Sequence, residues 1–153
     1  MKCFDCGNEE VLAKPNQTYH YTECGLENVY LEGVELLVCE QCGAVSPVIP
    51  KIEELHSRIA QTIINNPGML SGSEVKFLRK QLGVKARDWA LYIRIDPSTL
   101  SRWENENQQI GPQSDMLVRM LYQRLKAGEQ IPVSMPHTQP QPVRINVNEL
   151  QVA

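Results

Sequence analysis

Two periodicities divide the chain. Before residue 47, apolar positions alternate or fall in short runs: Tyr19 and Tyr21 alternate with His20 and Thr22, followed by Val29-Tyr30-Leu31 and by Val34 through Cys39. Such runs, with Gly25 and Gly33 as turn markers, predict short β-strands. From residue 50 the spacing changes to three and four. Ile52, Leu55, Ile59 and Ile63 share one side of a helix expected over 50–64, with Pro50 suited to its first turn and Pro67-Gly68 ending the segment. Ser71-Gly72-Ser73-Glu74 has the form of a capping box. It opens a helix running through Val75, Leu78 and Leu82 to Gly83, with Lys76, Arg79 and Lys80 expected on its outer side. A short helix over about 86–92 buries Trp89 and Ala90, with Ile93 just beyond it. Asp96-Pro97 then caps and starts another over 97–105, and a last helix is expected over 112–126.

Breaks between these elements set the domain organisation. Ser46-Pro47-Val48-Ile49-Pro50 closes the first piece, and after Gly128 the chain becomes rich in Pro and Gln (Pro132, Pro136, Pro140, Pro142). The expectation is an α+β chain of two domains: a zinc-ribbon-like β domain over 1–47, a linker helix within 48–70, an all-α domain over 71–127, and a flexible tail over 128–153. Within the tail, Val143-Arg144-Ile145-Asn146-Val147 alternates and is a candidate to add a strand to a partner. A length of 153 residues, 42% of them hydrophobic, suffices for one average domain or two small ones. No eighteen apolar residues run together, and Met1 through Cys6 lack the basic-then-apolar layout of a secretory signal. A cytoplasmic protein with no membrane association is therefore expected.

The cysteines carry the strongest chemical signal. Four of the five form two Cys-x-x-Cys-Gly units, Cys3-Phe4-Asp5-Cys6-Gly7 and Cys39-Glu40-Gln41-Cys42-Gly43. Each turn can aim two thiolates at one ion, and the glycine permits the left-handed backbone that points nearby amides at sulfur. Cys3, Cys6, Cys39 and Cys42 are accordingly the expected ligands of one structural Zn2+. Four thiolates close the shell and leave no position for a reacting water. A reducing compartment and an odd cysteine count speak against disulfides, and a duplicated pair that begins at the chain start speaks against a thioredoxin-like role. Cys24 reads as a free thiol beside Gly25. His20 and His56 read as surface histidines, since the shell is already full. A piece of this size cannot fold on an apolar core alone, so metal binding and folding should be coupled.

Charge separates the two halves. The formal net charge is −3, which by itself argues weakly against nucleic acid, but residues 1–50 carry −6 and residues 71–127 carry +4. In the basic half the expected helix over 97–105 places Leu100 and Trp103 on its buried side, leaving Ser98, Thr99, Ser101, Arg102 and Asn105 to face outward. Short polar side chains on a helix face are what a major groove admits, and an arginine there can be bidentate to guanine. A solvated face is the bland alternative. The close spacing of short helices and the local positive charge favour a helix-turn-helix that binds double-stranded DNA, with Lys85 and Arg87 as phosphate contacts.

The order Cys-x-x-Cys-Gly, Cys-x-x-Cys-Gly, helix-turn-helix resembles the MqsA/YgiT-type family of zinc-finger antitoxins over about residues 1–127. Leu100-Ser101-Arg102-Trp103-Glu104 is similar to the recognition-helix core of the Xre/Cro type of helix-turn-helix. The resemblance implies a dimeric repressor of its own operon whose zinc domain neutralises a toxin, often an mRNA-cleaving ribonuclease, and it places Ser98 and Arg102 among the base-reading positions. The chain departs from the pattern at Ala86, where Gln is usual, at Arg94, where Gly is usual, and at Ser98, where close MqsA relatives have Asn.

Three functions compete. The first is a zinc-dependent antitoxin and autorepressor, in which the acidic N-terminal half meets a small basic toxin. The second is a stand-alone zinc-ribbon regulator with no toxin, distinguished from the first by whether a small basic protein is encoded beside this gene. The third is an enzyme, disfavoured because the thiolate set is closed, His20, His56 and His137 form no His-x-x-x-His pair, and no Gly-rich phosphate loop occurs. A homodimer is expected in either regulatory case, with the last helix (Met116, Leu117, Met120, Leu121) offering spare apolar surface.

Overall fold

A computed structural model describes residues 1–9, 11–131 and 139–150. The chain is α+β, with a three-stranded antiparallel sheet followed by five helices. The strands are β1 (Val11–His20), β2 (Tyr30–Cys39) and β3 (Val45–Val48), in the order β1-β2-β3. The helices are α1 (Ile52–Asn65), α2 (Gly72–Gln81), α3 (Ala86–Ile93), α4 (Pro97–Glu104) and α5 (Pro112–Lys126).

Strands β1 and β2 form a long hairpin, from Val11 opposite Cys39 at one end to His20 opposite Tyr30 at the other. The alternation around Tyr19 captures only the second half of β1. Its first half carries Lys14, Pro15 and Asn16, which hide a strand from its pattern, and Pro15 is tolerated because β1 is an edge strand. Gly33, expected at a turn, instead lies within β2. The register shifts on either side of Gln17, and Asn16 (φ 54°) and Gly33 (φ 71°) take the left-handed backbone that this irregularity requires.

The loop after β1 turns inward. Tyr21 and Leu26 are buried in the same apolar core as Ile59, Ile63, Leu78, Trp89, Leu100 and Val118, so the end of the hairpin plugs into the helical part. The Tyr21 hydroxyl meets His56 Nε2 at 2.9 Å, tying this loop to α1. Helix α1, expected as a linker, contributes Ile59, Ala60, Ile63 and Ile64 to that core.

Two inward-turned arginines hold the helices in place. Arg79 on α2, expected to face solvent, is bidentate to Glu104 on α4 (Nε–Oε1 2.8 Å, Nη2–Oε2 3.0 Å) and also donates to the Val84 carbonyl. Both side chains are largely enclosed, not solvent-facing, because a bidentate partner satisfies the guanidinium on the helix's inner side. Arg119 on α5 pairs with Asp115 one turn earlier and donates to the carbonyls of Ile63, Ile64, Asn66 and Gly68, closing the C-terminal end of α1. Helix α2 opens with the expected capping box between Ser71 and Glu74. At Gly72 a Cβ would run into the Trp103 carbonyl, so α2 and α4 touch backbone to backbone there.

In the tail, Val143, Ile145 and Val147 are exposed and form no strand, and a single 3₁₀ turn covers Val147–Glu149. Pro132 and Pro136 lie outside the described residues. Among the described residues no helix is long and apolar enough to cross a membrane.

Candidate metal centre and the face of the fourth helix

The two Cys-x-x-Cys-Gly units adopt one geometry. In the first, the Gly7 amide donates to the Cys3 carbonyl at 2.9 Å and the Cys3 amide to the Asn8 carbonyl at 2.8 Å. In the second, the Gly43 amide donates to Cys39 and the Cys39 amide to Ala44, both at 2.9 Å. Gly7 (φ 75°) and Gly43 (φ 76°) supply the left-handed residue that closes each turn. The second unit follows β2 directly, and the first packs beside it where Val11 pairs with Cys39.

This brings the four sulfurs together. Cys3 and Cys42 Sγ are 3.6 Å apart, as are Cys6 and Cys39 Sγ, and all four lie within 4.8 Å of one another. A tetrahedral ion with Zn–S bonds of about 2.3 Å separates its sulfurs by about 3.8 Å, whereas a disulfide requires about 2.05 Å. The donor set therefore fits one metal ion and matches no disulfide; its four soft sulfurs suit a borderline cation rather than calcium or magnesium. Cys3 and Cys39 are buried while Cys6 and Cys42 are exposed, so the site lies at the surface. Thiolate character is unequal: the Cys42 amide, chiefly, lowers the Cys39 thiol to about 6. At Cys42 the Ala44 amide acts to lower the thiol, but desolvation and the neighbouring thiols prevail and raise it to about 12.

Cys24 stands apart from this cluster. It is half-buried, its thiol donates to the Tyr21 carbonyl at 3.5 Å, and it lines a small polar hollow with Lys76 and Lys80. Those lysines are distant in sequence, so the basic neighbours of Cys24 could not be read from its flanks. His20 stacks on Tyr30 with ring centroids 4.6 Å apart and meets the Glu27 carbonyl, and His56 is held by Tyr21. Neither histidine is part of the cysteine cluster.

Helix α4 presents the polar face expected of it. Leu100 and Trp103 are buried, while Ser98, Ser101, Arg102 and Asn105 are exposed and Thr99 is half-buried. The three residues Arg94, Ile95 and Asp96 connect α3 to α4. Arg94 takes the left-handed conformation (φ 64°, ψ 43°) that ends α3, the position where a glycine would be relaxed. Lys85 and Arg87 are both exposed at the start of α3.

No family model matches the chain, and no curated protein matches it. Its own side chains add two features that pattern alone did not identify. Asp96, expected only as a cap, accepts from both the amide (2.8 Å) and the hydroxyl (2.5 Å) of Ser98. Those two bonds, the hydroxyl's first, hold its carboxyl below the usual carboxylate range. Glu106, at φ 59°, turns back to accept from the amide (2.8 Å) and hydroxyl (3.0 Å) of Ser73 at the start of α2; the amide, chiefly, lowers its carboxyl too. The spacing from Ser73 to Glu106 is too long for any local motif to reveal it.

Proposed function

We propose that the chain is a sequence-specific DNA-binding repressor, in which α3 and α4 form an Xre/Cro-type helix-turn-helix and Cys3, Cys6, Cys39 and Cys42 hold one structural Zn2+. The form of α4 carries this reading. Its apolar side is anchored by Leu100 and Trp103, its end is clamped by Arg79 through Glu104, and its free side offers Ser98, Thr99, Ser101, Arg102 and Asn105. A rigid helix with a short polar face is what base reading in a major groove requires. The inward ion pairs Arg79–Glu104 and Arg119–Asp115 are each neutral, so the surplus positive charge of the helical half stays on the outside, as phosphate attraction requires.

In this reading Arg102 reads a guanine edge, and Lys85 and Arg87 hold phosphates. A homodimer would set two copies of α4 in successive major grooves, with half-sites about 10 base pairs apart or a multiple of that. Of the four apolar residues expected on that surface, Leu121 is buried in the core and Leu117 packs against it, so the dimer surface on α5 reduces to Met116 (62% exposed) and Met120 (54% exposed), one turn apart. The zinc ion would fix the two cysteine turns against each other and supply folding energy, with the sheet region as its beneficiary.

The resemblance to MqsA/YgiT-type proteins extends the proposal to the antitoxin of a type II toxin–antitoxin pair, neutralising a small basic toxin through the zinc domain. The acidic residues of the sheet region that the structure describes are all exposed, which supports a basic partner there.

Binding of the full chain to duplexes drawn from upstream of its own gene tests the repressor. Arg102→Ala should cost about 1 to 3 kcal/mol on the preferred duplex and relax its specificity, whereas Lys85→Ala or Arg87→Ala should weaken all duplexes alike and flatten the salt slope. A parent with no sequence preference removes the repressor reading. Gentle purification of the tagged chain from its host, with intact mass spectrometry, tests the antitoxin. A small basic protein in fixed stoichiometry supports it, and a zinc-loaded homodimer alone leaves a stand-alone regulator.

A further inference from the structure

We propose that Ser98, with its proton held by Asp96, reads DNA only as an acceptor and selects a base that presents an amino group in the major groove, adenine or cytosine, at one position of each half-site. This rests on the reading of α4 as the helix that enters the major groove.

The assignment follows from where the protons are. A serine hydroxyl has one proton and two lone pairs, and a free serine turns to suit either kind of base edge. Ser98 is not free in this way. Its Oγ lies 2.5 Å from Asp96 Oδ1, and the same carboxylate oxygen accepts the Ser98 amide at 2.8 Å. An ionised carboxylate has no proton to offer, so the shared proton comes from the hydroxyl. The hydroxyl bond and then the amide bond favour the ionised form over the opposing desolvation, and the Arg102 charge adds to them. What Ser98 still presents outward is a lone pair.

The same bookkeeping along α4 supports an acceptor-rich edge beside one strong donor. Asn105 Nδ2 donates to the Ser101 carbonyl at 2.8 Å and to the Ser101 hydroxyl at 3.3 Å, which fixes the amide's orientation and leaves Oδ1 outward. Arg102 Nη2 donates to Thr99 Oγ1 at 3.2 Å and keeps its other protons for a ligand. In the major groove adenine offers N6–H and cytosine N4–H, while guanine and thymine confront an acceptor with O6 and O4. A guanine or thymine opposite Ser98 would bring two lone pairs together and leave both unpaired.

Selection of bound sequences from a random duplex library by the full-length protein, with parent and variants side by side, tests the proposal. Each half-site of the motif enriched by the parent should have one column restricted to A or C on the strand that Ser98 faces, which the complementary strand reports as T or G. Ser98→Ala should weaken the preference in that column by about fivefold and leave the other columns unchanged. Asp96→Ser keeps a hydroxyl cap for α4 but frees the Ser98 proton, and should open the same column to G and T. The proposal is overturned if the column that answers to Ser98→Ala mixes the two classes, admitting A with G, A with T, C with T or C with G, or if no column answers. A parent that enriches no sequence overturns the DNA reading of α4 itself, and this failure is visible before any variant is compared.

Discussion

Arg119→Ala should be among the most damaging single substitutions in the helical part. Its guanidinium donates to Asp115 (2.9 and 3.2 Å), to three carbonyls at the end of α1 (Ile63 3.2 Å, Ile64 2.8 Å, Asn66 2.7 Å) and to Gly68 (2.6 Å). The side chains of Arg119 and Asp115 are 17% and 9% exposed, so truncation strands a carboxylate and several carbonyls in a poorly hydrated space. Removing one partner of a buried pair costs about 3 to 5 kcal/mol, and the partial exposure places this case near about 3 kcal/mol. For a chain of this size that corresponds to a fall in melting temperature of about 6 to 12 °C. Urea denaturation followed by tryptophan fluorescence reports it directly, because Trp89 and Trp103 are both in the affected core. The double variant Asp115→Leu/Arg119→Met removes both charges at once and should recover part of the loss. If Arg119→Ala lies within about 1 kcal/mol of the parent, the reasoning fails: α1 would then be held by apolar packing alone.

Three further outcomes are expected. Gly72→Ala forces α2 and α4 apart at the Trp103 carbonyl and should cost about 1 to 3 kcal/mol; a midpoint equal to the parent's would contradict the close approach. Chelation should abolish dispersed amide signals from the sheet while leaving those of α2 to α5 in place, and a sheet that keeps its dispersion would show that the cysteine cluster does not govern folding there. Asp96 and Glu106 have folded-state values below the ordinary carboxylate range of about pH 4, so their contribution is complete above that range and is lost as pH falls through the lower folded values. The stability gap between the parent and Asp96→Asn/Glu106→Gln should accordingly narrow between pH 6 and about pH 2, and a constant gap would rule out a charge effect.

Much of the helical half was legible because its signals are local. Ser71 and Glu74 announce a capping box, Asp96-Pro97 announces a helix start, and Leu100 and Trp103 mark an inner side from spacing alone. The cysteine cluster was legible for the same reason, since each Cys-x-x-Cys-Gly turn is built by adjacent residues. What escaped depends on partners far apart in the chain. Arg79 looks like a surface charge until α4 brings Glu104 against it, and Arg119 looks like another until the end of α1 arrives beside α5. Gly33 escaped differently: an isolated glycine in a strand and a glycine in a turn have the same one-letter context, and only the register distinguishes them.

The hairpin has the proportions of a strut. Ten residues per strand at about 3.3 Å each give it a length of about 33 Å. One end carries the cysteine turns and the other is seated in the core through Tyr21 and Leu26. Effects of substitutions separated by more than about 10 Å, without shared partners, ordinarily add. Point substitutions around the cysteine turns and point substitutions around Tyr21 and Leu26 should accordingly add in their effects on stability, while a change that dissolves the hairpin as a whole is felt at both of its ends at once.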